Sequence, residues 1–128
     1  MKLLLDTCAF LWFLADSPQL SPTARAHILD PGNEVYLSAM SVWEIARKYA
    51  QGRISLPSHP STLIPAARRD SGIASLSLTE TDALAAEKLQ LFHKDPFDRM
   101  LIAQALMNGL AIVTPDSAFE PYPVRVLW

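Results

Sequence analysis

Short apolar runs alternate along this chain with longer stretches of mixed polarity, the pattern of strands joined by crossover helices in a mostly parallel sheet. Lys2–Leu5, Val35–Ser38, Ile73–Leu76, Ala111–Thr114 and Val124–Leu127 read as the strands. The first and fourth are nearly continuous apolar runs, which suits strands covered on both faces. The last is expected at a sheet edge. Ala9–Ala15 and Pro22–Leu29 read as short helices parted by the turn-forming Asp16-Ser17-Pro18, with Ser21 capping the second. Ser41–Gln51 is expected to be helical with Gly52 as its stop, Ser61–Arg69 to end near Gly72, and Thr79–Leu91 to open on the cap-like Thr79-Glu80-Thr81-Asp82. Pro96–Met107 is the best punctuated helix: Asp95 is its N-cap, proline takes the first helical position and Gly109 stands just past the end.

Composition narrows this to one domain. The chain has 128 residues, half of them hydrophobic, enough for a single compact core. It shows no repeat and no low-complexity tract. A formal charge of −2 and a pI near 5.8 give no overall basic footprint, so any nucleic-acid contact must use a local patch. Arg47, Lys48, Arg53, Lys94 and Arg99 are the candidates. One cysteine, Cys8, rules out an intramolecular disulfide, and a reducing cytoplasmic setting is the expectation. Asp6 interrupts the apolar N-terminal run, which argues against a secretory signal, and no segment reaches the ~20 apolar residues that a membrane span needs.

The chemistry gathers at one edge. In a parallel α/β sheet, strand C-termini and helix N-termini share an edge, where ligands bind. Asp6 follows the first expected strand, Glu44 lies in the first turn after the second, Asp116 follows the fourth, and Asp98 lies in the first turn of the helix before it. Each has a plainer explanation. Asp6 would cap a helix, Ser41-Val42-Trp43-Glu44 matches a capping box, Asp98 sits at the third position of a capped helix, and Asp116 suits a turn. Together they would repel one another without a counter-charge, and a divalent cation supplies one. Oxygen donors without a cysteine cluster or paired histidines favour Mg²⁺ or Mn²⁺ over Zn²⁺, and such a site suits phosphodiester hydrolysis.

Four segments carry a family resemblance: Leu3-Leu4-Leu5-Asp6-Thr7, Ser41-Val42-Trp43-Glu44-Ile45, His93 through Ala105, and Ile112-Val113-Thr114-Pro115-Asp116. Together they closely resemble PIN-domain proteins, and more narrowly the VapC-type toxins. The resemblance implies a three-layer α/β/α sandwich with a central mostly parallel sheet. It implies Asp6, Glu44 and Asp98 as the main metal-site acids, Asp116 as the more variable fourth, and Thr7 and Thr114 as supporting hydroxyls. It further implies Mg²⁺- or Mn²⁺-dependent cleavage of RNA, homodimerisation and inhibition by a small cognate antitoxin.

Arg47, Lys48 and Arg99 are the candidates for RNA contact, and Asp95 is a competing acid assigned to the helix cap. His93 is read as a bystander or hydrogen-bond partner outside the catalytic set, Cys8 as buried, and Phe10, Trp12, Phe13 and Trp43 as core or dimer packing in preference to base stacking. The rival functions are a housekeeping RNA-processing nuclease of the same fold and a noncatalytic interaction module. A phosphoacceptor receiver would need an adjacent acidic pair where Asp6-Thr7 stands, and a dinucleotide site would need a glycine fingerprint that the chain lacks.

Overall fold

A computed structural model describes all 128 residues, Met1–Trp128. Its centre is a five-stranded sheet, all parallel: β1 (Lys2–Leu5), β2 (Glu34–Ser38), β3 (Ile73–Leu76), β4 (Ala111–Val113) and β5 (Val126–Leu127), in the order β3-β2-β1-β4-β5. The helices are α1 (Thr7–Leu14), α2 (Pro22–Leu29), α3 (Ala39–Ala50), α4 (Pro60–Ser71), α5 (Glu80–Lys88) and α6 (Pro96–Asn108), and a 3-10 turn covers Ser117–Phe119.

Alternation along β1 builds the layers. Leu3 and Leu5 point into a core with Phe10, Ala24, Ile28, Ile45 and Ile64 from α1 to α4. Leu4 points the other way, against Leu101, Ile102 and Ala105 of α6 and Phe119 and Tyr122 beyond it. All three leucines are fully buried. The fold is therefore the expected three-layer α/β/α sandwich with a parallel central sheet, and β5 is the expected edge strand, shorter than its apolar pattern suggested.

Strand order also locates the crevice. From β1 the chain steps outward to β2 and β3, then crosses back to lay β4 on the other side of β1. The connections leaving β1 and β4 thus diverge, opening a cleft at their carboxyl ends.

α6 obeys its punctuation: Asp95 Oδ1 accepts from the N–H groups of Phe97 and Asp98, and Gly109 closes the helix at φ 66°. α3 departs from expectation. It starts at Ala39, and its cap is Ser38, whose hydroxyl accepts from Met40 N at 3.0 Å. Ser38 ends β2 and caps the helix at once, so no loop separates them. Ser41 lies buried inside the first turn with an unpartnered hydroxyl, and Glu44 falls in the second turn, not the first.

Candidate active site

Asp6 stands at the carboxyl end of β1, 7% exposed. Its Oδ1 accepts from Ala9 N at 2.7 Å, which caps α1, and its Oδ2 accepts from the Thr114 hydroxyl at 2.6 Å. Thr114 follows β4, so this bond ties the two strands together across the cleft. The same hydroxyl oxygen accepts from Asp116 N at 3.1 Å, which sets the turn that carries Asp116. Asp116 itself is exposed and caps the 3-10 turn through Ala118 N at 2.9 Å.

Asp98, at the first turn of α6, meets His93 Nε2 at 2.7 Å. Ligand atoms of His93, Asp98 and Asp116 lie within 4.8 Å of one another. Glu44 is placed differently. One of its carboxylate oxygens accepts from the Thr7 hydroxyl and the other pairs with Lys48 Nζ at 3.2 Å. The structure thus gathers Asp6, Asp98 and Asp116, adds His93 and joins Glu44 to the group through Thr7, the residue next to Asp6.

The electrostatics follow from burial. Desolvation pushes Asp6 up to about 6, opposed by the hydrogen bonds from Thr114 and Ala9 and reinforced by the charges of Asp98 and Asp116. Asp98 is likewise raised, first by burial, against the hydrogen bond from His93 and with further upward pushes from Asp95 and Asp116. Burial first and the neighbouring acids after it make ionisation costly in this cleft, a cost that a bound cation would offset. With His93 Nε2 engaged by Asp98, the donors left are carboxylate oxygens, a set that fits Mg²⁺ or Mn²⁺.

Sequence reasoning kept His93 out of the catalytic set as a bystander or a hydrogen-bond partner, and the structure makes it the partner of Asp98. The His93 backbone N–H donates to the Tyr122 hydroxyl at 3.0 Å, a partner no local pattern reveals. Three expectations are corrected or narrowed. Arg99, a candidate RNA contact, is occupied elsewhere: its guanidinium donates to the carbonyls of Ala86, Leu89, Gln90 and His93 at 3.0 to 3.4 Å and to the Tyr122 hydroxyl at 3.3 Å. It knots the α5–α6 connection instead of facing the cleft. Cys8 is exposed, not buried, because α1 begins at Thr7 and turns Thr7, Ala9 and Phe10 inward. Partial desolvation, then the charge of Asp6, raises its thiol, which keeps it protonated and a poor nucleophile. Trp43 is 54% exposed, which removes it from the core and leaves only the surface contact of the two expected roles, whereas Phe10 is buried and Trp12 and Phe13 pack on the core as expected.

The fold and the site together define a parallel α/β protein with a carboxylate cleft at its strand switch. A model of the PIN domain matches residues 3–124, and the chain belongs to the PIN domain family. Ribonuclease VapC22 of Mycobacterium tuberculosis (strain ATCC 25618 / H37Rv) is 29% identical over 128 residues, covering 96% of both chains. Among solved structures, VapBC2 from Rickettsia felis bound to a promoter DNA fragment aligns over 99% of this chain and 98% of its own, with TM-score 0.73 and 12% identity. VapBC-1 from nontypeable Haemophilus influenzae aligns over 99% and 97%, with TM-score 0.70 and 18% identity. FitAcB from Neisseria gonorrhoeae aligns over 98% and 96%, with TM-score 0.66 and 22% identity. No helix is long and apolar enough to cross a membrane.

Proposed function

We infer that this chain is a divalent-cation-dependent endoribonuclease and the toxin of a toxin–antitoxin pair, working in the cytoplasm as a homodimer restrained by a cognate antitoxin. The observation that carries the chemistry is the buried carboxyl of Asp6 and the half-buried carboxyl of Asp98, both raised and both near further acids in one cleft. The similarity to a protein named as a ribonuclease supports the substrate class. The likeness to toxin–antitoxin complexes supports the partner.

Asp6, Asp98 and Asp116 would hold Mg²⁺ or Mn²⁺, with His93 and Glu44 at the margin. The bound ion would polarise a phosphoryl oxygen and lower the pKa of a water. The chain's own groups do the rest. Thr114 orients Asp6, leaving its carboxylate plane fixed by hydrogen bonds to both oxygens. His93 fixes one oxygen of Asp98 and leaves the other free to face the cleft. Thr7 fixes Glu44 so that a carboxylate beside the cleft can take a proton from an approaching water.

The test is incubation of the purified chain with a mixed RNA pool in Mg²⁺, Mn²⁺ or chelator, with the cut ends mapped. We expect internal cuts with either ion and none in chelator. Folded Asp98→Asn cutting as fast as the parent in Mg²⁺ would overturn the assignment.

A further inference from the structure

Beside Glu44 runs an open groove of about 430 Å³, lined by Arg47, Lys48 and Arg53 on one side and by Lys94 and Phe97 on the other. Two acids, Glu44 and Asp95, share the lining, but its four cations outnumber them, in a chain whose formal charge is −2. Lys48 is paired with Glu44, but Arg47, Arg53 and Lys94 enter no ion pair. Trp43 stands outside that lining but next to it: its ring lies 5.4 Å from Phe97, tilted by 45°, and the Arg47 guanidinium sits over both rings at 5.3 and 5.7 Å. Trp43 keeps more than half its surface in water. Unpaired cations around an exposed indole are what single-stranded nucleic acid demands: charge for its phosphates and a face for an unstacked base. A duplex keeps its base faces stacked on one another and cannot use the indole.

The groove also leads into the cleft. Glu44 is part of its wall and is joined to Thr7, next to Asp6, while Phe97 adjoins Asp98 in α6. We propose that this groove is the entry track for single-stranded RNA: one base stacks on the Trp43–Arg47–Phe97 platform, and Arg53 and Lys94 hold the neighbouring phosphates on the way to the carboxylates. The proposal rests on the ribonuclease reading above and adds the residues that receive the strand and stack its base.

The chain has three tryptophans. Trp12 and Trp128 pack on each other at 5.9 Å, against the core, so Trp43 is the fluorophore open to a ligand. The experiment titrates the full chain in chelator with a short mixed-sequence single-stranded RNA and with an RNA duplex of equal length. Fluorescence and anisotropy are followed together, and a gel confirms that the RNA stays intact. Single strands are expected to quench the tryptophan emission and bind more tightly than the duplex. Trp43→Ala is expected to weaken binding about tenfold, and Trp43→Phe to retain most of the affinity while losing the quench. Arg53→Glu and Lys94→Glu are each expected to flatten the dependence of log affinity on log salt by about 0.7. Melting curves establish that each variant is folded. Parental affinity for single strands in Trp43→Ala, or equal affinity of the parent for duplex, overturns the proposal while leaving the ribonuclease reading intact. So does a result in which these variants lose a co-expressed protein partner yet bind RNA normally. A parent chain that neither binds nor cuts the RNA pool overturns the ribonuclease reading itself, and the track with it.

Discussion

Asp6 is a carboxylate held in two opposed ways. Its burial and its acidic neighbours favour the protonated form, whereas Thr114 and Ala9 donate to the ionised one, and burial prevails. A carboxyl whose pKa rises on folding helps the fold most below its unfolded value, and that help fades as pH climbs from about 4 to about 6. For Asp6 the loss by pH 7 is on the order of 3 kcal/mol in the metal-free chain. Thermal melts in chelator should therefore fall in midpoint between pH 4 and 7, and Asp6→Asn, which has no charge to bury and whose single amide oxygen still accepts from Ala9 N, should remove most of that slope. Thr114→Val tests the opposing force. It strips Asp6 of a buried donor and Asp116 N of its acceptor, so urea titration at pH 7 should show a loss of about 1–3 kcal/mol.

At the scale of elements, α6 shows what local chemistry encodes and α3 what it conceals. Proline, a capping aspartate and a terminal glycine set α6 within one residue of the expected span, since all three act within a turn of their own position. Gly109→Ala, forced to hold φ 66° with a Cβ, should lower stability by about 1 kcal/mol in the same titration. Asp95→Asn should cost a comparable amount while leaving RNA cleavage near the parental rate, because Asp95 serves the helix end and Asp98 the cleft. α3 was misjudged because Ser41 and Glu44 imitate a capping box, while the true cap, Ser38, was spent in the sequence pattern on the strand. Glu44 finds Thr7 and Lys48 instead, and no spacing rule exposes a partner 37 residues away. Arg99 misled for a related reason: a cation reads as a ligand for anions, yet carbonyls from a distant connection satisfied it. The acids themselves were legible, because strand ends and helix starts fix where a residue emerges. Their supporting hydroxyls, Thr7 and Thr114, were legible only through the family resemblance, and which acid each one holds was not.

For the whole molecule, the order β3-β2-β1-β4-β5 places the cleft on the seam between β1 and β4, so charge in the cleft acts on the joint that holds the two halves of the sheet side by side. A cation bound there would relieve repulsion and favour the folded state. Mn²⁺ or Mg²⁺ at pH 7 should raise the melting temperature of the parent. Asp98→Asn should melt above the parent in chelator and gain less from the ion. Equal metal-induced shifts in the two proteins would remove Asp98 from the binding set. Expression in the native host should yield a small protein at fixed stoichiometry with the chain, and free homodimer without growth arrest on overexpression would count against the toxin assignment.

The bond between Asp6 and Thr114 spans 108 positions of sequence. On a ribosome Asp6 waits, solvated and without its hydroxyl, until Thr114, 108 positions later, has emerged. The seam between β1 and β4 closes only when that later strand arrives. A nascent chain therefore carries no complete carboxylate cleft before then, and whatever chemistry the cleft performs begins only once both sides of the seam are in place.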